Sequence, residues 1–184
     1  VYKRQLAYTP KRIAVMNVSG KNIRILTNDL DGDAENIIWS QDNQSIHFTY
    51  DQRGIRKIGK VGLNGDIKNI ASNVGGTTIG RPYISGDYHT ESDTIAFTQS
   101  SPDRPADIAV VNGDELKVLT NLNEDLLAHR KLGEVNEIVY KSSFDGQEIQ
   151  GWYITPPDYD SSKKYPLILE IHGGPHLAYG PHFS

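Results

Sequence analysis

Tyr165–Ser184 reads YPLILEIHGGPHLAYGPHFS, and its first half sets the reading of the chain. Leu167-Ile168-Leu169-Glu170-Ile171 is a nearly unbroken apolar run bounded by Pro166 and by Gly173-Gly174-Pro175. Such a run predicts a short strand buried on both faces, as inside a mostly parallel sheet. The two glycines after it let the backbone turn sharply and approach a ligand with no Cβ in the way. Pro175 restricts Gly174 toward extended geometry and has no N–H to donate.

Upstream, from Leu6 to about Thr120, the sequence repeats itself. Ile13–Gly20 followed by Ile23–Thr27 predicts two strands around a short turn. The pattern returns as Lys57–Leu63, Asn64-Gly65 and Ile67–Ser72, and again as Asp107–Val111, Asn112-Gly113 and Leu116–Thr120. The closing residues Thr27, Ser72 and Thr120 lie 45 and 48 residues apart. Between these hairpins a second unit recurs: Ile37–Ser40, a turn at Asp42-Asn43 and Ser45–Thr49 correspond to Tyr83-Ile84-Ser85 and Thr94–Thr98. Four short strands per period of roughly 40–50 residues, with Asn-Gly and Ser-Gly turns, predict β-propeller blades. About two and a half blades are accounted for, against the roughly four to eight of a closed propeller, so the propeller is expected to be cut at its start. An all-β sandwich is the alternative, and the period argues against it.

Asn121–Gly133 breaks the pattern and suits a linker or a short helical turn. Strands resume with Ile138-Val139-Tyr140, a hairpin at Asp145-Gly146, and Ile149–Thr155, since Asp-Gly between alternating residues signals a two-residue turn. Pro156–Pro166 is a polar loop whose prolines exclude a central strand. The expected organisation is therefore residues 6–128 as the C-terminal blades of a propeller and 129–184 as the start of a second domain. Residues 1–5, VYKRQ, read as a non-native sequencing remnant and are set aside.

A strand leading into His-Gly-Gly-x is the arrangement by which α/β-hydrolases supply one backbone N–H to an oxyanion hole. Phe144-Asp145-Gly146, Gly151-Trp152, Pro156-Pro157, Lys164-Tyr165-Pro166 and His172-Gly173-Gly174-Pro175 fall in the order seen in the prolyl oligopeptidase family of serine peptidases. The chain resembles its acylaminoacyl-peptidase and dipeptidyl-peptidase-like branch, with Glu134–Ser184 carrying the specific part. The resemblance implies a mostly β chain: a partial β-propeller followed by the first strands of an α/β-hydrolase domain. It also implies hydrolysis of amide bonds in short peptides through an acyl-enzyme, with the propeller gating access. It places the oxyanion-hole N–H on Gly174, with Gly173 shaping the loop. No G-x-S-x-G occurs in the sequence. The resemblance therefore implies that serine, carboxylate and histidine base all lie beyond Ser184, and that the 184 residues alone are an inactive fragment.

His172 is the one histidine inside the motif, yet this fold places its base after the nucleophile. It reads instead as a buried histidine tying the loop to nearby backbone. His176 and His182 fit no metal spacing, so a loop role is expected for both. Asp29, Asp31, Asp33 and Glu35 imitate a calcium loop but have Ala34 and Ser40 where that loop needs glycine and glutamate, and read as a solvated inter-blade loop. Trp39 and Trp152 read as strand packing. No cofactor or metal is called for.

With a net charge of −4 there is no electrostatic case for nucleic acid or an anionic membrane surface. No segment is long and apolar enough to span a bilayer. Without cysteine the redox compartment is unreadable, though members of the resembled family are often periplasmic or secreted. Two rival readings share these residues: a propeller-containing esterase, and a non-enzymatic propeller interaction protein of the TolB-like kind. Glu134–Ser184 argues against the second, since a pure propeller would begin another blade there.

Overall fold

The structure, a computed structural model, describes residues 9–78, 80–92, 94–173 and 177–183. It is mostly β, and every strand pairing is antiparallel. A short hairpin, β1 (Ala14–Val15) and β2 (Arg24–Ile25), comes first. A four-stranded meander follows: β3 (Glu35–Trp39), β4 (Ser45–Gln52), β5 (Ile55–Gly62) and β6 (Ile67–Val74). A second consists of β7 (Tyr88–Glu91), β8 (Thr94–Ser101), β9 (Arg104–Asn112) and β10 (Glu115–Val118). They are joined by the backbone pair of Val74 with Gln99, with the Gly75 N–H donating to the Thr98 carbonyl at 3.0 Å beside it. After a single helical turn, α1 (Glu124–Leu127), the hairpin β11 (Val135–Lys141) and β12 (Glu148–Ile154) stands as a separate two-stranded sheet.

Period-2 alternation divides the core in two. Ile46, Phe48 and Tyr50 on one face of β4, with Val61 of β5, pack against Ile13, Leu26, Leu30 and Ala34. Ile58, Ala71 and Val74 face the other way and meet Ile95, Phe97, Ala109 and Val111 of the second meander. Each core thus lies between successive repeats, so no repeat buries its apolar face alone. Phe48 sits opposite Gly59, and a Cβ there would lie 2.7 Å from the ring.

The repeat seen in the sequence has a hydrogen-bonded counterpart. Thr27 Oγ1 accepts from the Ile13 N–H at 2.9 Å, and Thr120 Oγ1 accepts from the Ile108 N–H at 2.9 Å. In each hairpin the residue before the threonine then donates to the same isoleucine's carbonyl, at 2.8 and 2.7 Å. The environments differ: Thr27 is wholly buried, whereas the Thr120 hydroxyl also donates to the buried Asp107 carboxylate at 2.7 Å. Thr27→Val should cost about 1–3 kcal/mol by stranding a buried N–H, and Thr120→Val at least as much, because Asp107 loses a donor as well. Urea denaturation of the two variants compares them, and a clearly smaller loss for Thr120→Val would show that the Asp107 bond contributes little.

Four expectations change. Tyr83–Ser85 is not a strand; the partner of β8 is Tyr88–Glu91, and Tyr83 makes only an isolated bridge to Tyr179. Gly86, at φ +106 and pressed against the backbone of Val74 and Gly75, interrupts the strand expected there. The Asp145-Gly146 hairpin closes through a wider loop, with the Ser142 N–H donating to the Gln147 carbonyl and Asp145 accepting from the Gln147 N–H. In the Asn112-Gly113 hairpin, Asn112 still pairs with Glu115, which moves the turn on by one residue. Leu167–Ile171, the expected buried strand, forms no strand: Leu167 is 90% and Ile168 91% exposed. Among the described residues no neighbouring strand or covering helix meets this run, and without a partner its backbone has no ladder to join.

Candidate functional site

The site is built where β11–β12 and the residues flanking the glycines meet the two meanders. The turn between β4 and β5 is Arg53-Gly54, with φ 51° and 74°, the left-handed pair of a tight hairpin. Gly54 is required twice over, because a Cβ there would also lie 2.9 Å from the Trp152 ring. Beside it, Arg53 donates to Glu137 Oε1 at 2.6 Å, and Gln150 Nε2 reaches the same oxygen at 2.8 Å. These bonds, Arg53's first, hold the Glu137 carboxyl below its ordinary range. Trp152 therefore packs, as expected, and its indole N–H donates to the Tyr179 carbonyl at 3.3 Å. Trp39 differs: on β3 it is half exposed.

Leu177–Phe183 is stitched to the loop between the meanders. Tyr83 and Tyr179 form a backbone bridge and stack edge-to-face, 4.8 Å between centroids. The Ile84 N–H donates to the Ala178 carbonyl at 3.3 Å and the Gly180 N–H to the Pro82 carbonyl at 3.0 Å. From this anchor a polar chain runs back to the near side of the glycines. Arg81 donates to Glu170 at 2.7 Å and to the Tyr179 hydroxyl at 2.8 Å, and that hydroxyl donates to Glu170 at 3.1 Å. The His172 ring lies 5.1 Å from that of Tyr179. Residues on both sides of the glycine loop are thus tied to one point on the β repeats.

Gly174, the expected oxyanion donor, lies outside the described residues, as do Pro175 and His176. Gly173 is exposed, has no left-handed φ, and a Cβ on it would meet open space. His172 corrects its expectation: it is exposed rather than buried, with Nδ1 3.2 Å from the Gly173 carbonyl oxygen, because among the described residues no segment covers it. His182 is instead the buried histidine, 9% exposed, against Gly75 and Ser100. Burial pushes its imidazole below the ordinary range, with Asp51 opposing. It does not activate Ser100, whose hydroxyl donates to the Arg104 carbonyl at 3.2 Å. Asp33 and Glu35 of the acidic loop are both ion-paired to Lys11, and Arg56 also approaches Glu35 at 3.5 Å. Among the described residues no three His, Asp or Glu side chains converge to hold a metal, and no helix is long and apolar enough to cross a membrane.

The sequence missed Arg53-Gly54 as a turn and Tyr179 as an anchor. The first had a signal, since a glycine between two alternating runs marks a hairpin. The second had none, because its partners Tyr83 and Arg81 lie 96 and 98 residues away.

No protein-family profile matches the chain. It is 30% identical over 146 residues to the "Uncharacterized peptidase YuxL" of Bacillus subtilis, covering 78% of this chain and 21% of that protein. It is 24% identical over 168 residues to dipeptidyl-peptidase 5 of Porphyromonas gingivalis, covering 90% of this chain and 23% of that one. Among solved structures, the Pyrococcus horikoshii acylaminoacyl peptidase shares the fold with a TM-score of 0.68 at 22% identity, over 89% of this chain and 24% of that one. The chain thus spans between a fifth and a quarter of the length of these relatives. With its ordered motifs from Phe144 to Pro175, the chain belongs to the prolyl oligopeptidase family, on the side of the acylaminoacyl and dipeptidyl peptidases.

Proposed function

We propose that the chain supplies the C-terminal blades of a β-propeller, residues 6–128, and the start of an α/β-hydrolase domain, 129–184, in a serine peptidase acting on short peptides. The observation that carries this reading is the stitching of Leu177–Phe183 onto Pro82–Ile84. It sets the residues that flank the glycine loop against the β repeats, where a propeller would restrict access to bound peptide and exclude folded protein. The relatives' names, peptidase and dipeptidyl-peptidase, support a peptide as substrate.

In this mechanism a serine, oriented and deprotonated by a histidine–carboxylate pair, attacks the peptide carbonyl and forms an acyl-enzyme that water then hydrolyses. All three groups come from outside the 184 residues. The chain's own contribution is the Gly174 N–H, donated to the oxyanion as negative charge develops on the carbonyl oxygen. Arg81, Glu170 and Tyr179 hold the flanks of that loop in place.

The test uses the protein expressed from its whole gene and a fluorophosphonate probe, which reacts only with an activated serine. Labelling, with hydrolysis of peptide amides as well as esters, is the expected result. No labelling removes the serine mechanism, and cleavage of esters alone turns the enzyme into an esterase. His172→Gln should retain full labelling with at most a modest loss of rate. Complete loss of labelling in a folded variant would place His172 in the catalytic set.

A further inference from the structure

A cleft of about 620 Å³ lies between the two meanders, within the size range of small-molecule sites. It opens at the end of the sheets that carries the β3–β4, β7–β8 and β9–β10 turns. The peptidase-like segment contacts the other end, at Arg53-Gly54. At about 3.3 Å per residue along β4, His47 in the cleft and Arg53 are roughly 20 Å apart.

His47 and Lys60 are directly paired across β4 and β5, so both side chains leave the same face of the sheet. His47 is 5% exposed and its Nδ1 has no hydrogen-bond partner among the described residues. Such a buried polar atom costs stability unless something meets it. Lys60 makes no ion pair among the described residues, and its neighbour across the next rung is another cation, Lys68. Asp42 stands at the rim. Its Oδ1 is held by the Ser40 hydroxyl at 2.6 Å and the Gln44 N–H at 2.9 Å, which fix its direction. Those bonds, Ser40's first, hold the carboxyl below its ordinary range. Burial, with Lys60 beside it and Asp42 opposing, pushes the His47 imidazole below its ordinary range, which favours the neutral ring with one donor and one acceptor nitrogen. The remaining wall is apolar: Ile70, Ile95 and Val111.

We propose that this cleft binds a short zwitterionic peptide, with its carboxylate against Lys60 and His47, its ammonium against Asp42, and an apolar side chain on Ile70, Ile95 and Val111. A simple anion would satisfy the two donors but leave Asp42 repelling it. A simple cation would face Lys60. Only a ligand carrying both charges and an apolar group matches every part of the lining. The site is separate from the glycine loop and stands whether or not the peptidase reading holds.

The experiment uses the protein expressed from its whole gene, pretreated with fluorophosphonate so that any reactive serine is blocked. Glycyl-leucine, acetyl-leucine and leucinamide are titrated while the His47 ring signals are followed by NMR. Glycyl-leucine should shift the His47 signals saturably and bind at least about tenfold more tightly than either single-charge analogue. Lys60→Met, which keeps the aliphatic stem, should weaken it by about tenfold or more. Asp42→Asn keeps acceptors for Ser40 and Gln44, and should bring glycyl-leucine down to the level of acetyl-leucine. Failure of glycyl-leucine to shift His47 would overturn the proposal. So would equal binding of acetyl-leucine, or undiminished binding in a folded Lys60→Met protein.

Discussion

Replacing Gly174 by valine in the protein expressed from its whole gene should lower kcat by about 10²–10³ and leave KM nearly unchanged. The expectation follows from what an oxyanion donor does. Its N–H meets the carbonyl oxygen weakly in the bound substrate and strongly once that oxygen carries charge, so its loss is felt in the transition state. Valine brings a branched Cβ into a loop whose two glycines let backbone approach substrate, and narrows the backbone choices of a residue already restricted by Pro175. Arg81 ties the two flanks of the loop to each other through Glu170 and Tyr179, which limits how far they can separate to make room. Gly174→Ala, with one small methyl, should fall between wild type and valine. Steady-state kinetics on both variants, with circular dichroism to confirm folding, checks this. Full kcat in a folded Gly174→Val protein would remove the donor assignment.

The repeats were legible in the sequence where local chemistry decides structure. Alternation in Ser45–Thr49 and the Asn64-Gly65 turn led directly to β4, β5 and β6, and the recurring threonines marked equivalent hydrogen bonds. The reading failed where burial is one-sided or long-range. β7, Tyr-His-Thr-Glu, is polar enough to look like loop, and only Tyr88 packs on the core. The nearby Tyr83-Ile84 looked more like a strand and is not one, since the chain there must pass Gly86 against the backbone of Val74. His172 and His182 exchanged expected roles for a related reason. Burial of His182 depends on Gly75 leaving space for it about a hundred residues earlier, which no local pattern records. The Lys60–His47–Asp42 cleft was invisible too, because it needs the sheet register to bring those residues to one face.

The 184-residue chain, prepared by itself, should self-associate and hydrolyse neither esters nor amides. Inactivity follows from chemistry, since the chain lacks G-x-S-x-G and the described residues bring no serine, histidine and carboxylate into a triad. Association follows from Leu167–Ile171, whose four aliphatic side chains are between 78% and 91% exposed. Each would gain about 1.5–3 kcal/mol on full burial, and together they form a contiguous apolar strip. The backbone under them carries no strand pairing among the described residues, so a second chain can add to it edge to edge. Sedimentation velocity should show mass rising with concentration. Leu167→Lys with Leu169→Lys should shift the distribution toward monomer by charging one side of the strip. Hydrogen exchange gives the residue-level test. Amides of β4 and β5, laddered on both sides and lined by buried Phe48, Ile58 and Val61, should exchange slowly. Those of Leu167–Ile171 should exchange at nearly the rate of an unfolded peptide in dilute solution and slow only as association proceeds. A monomer with strong protection across Leu167–Ile171 would mean that the run already has its partners within the 184 residues and does not drive association.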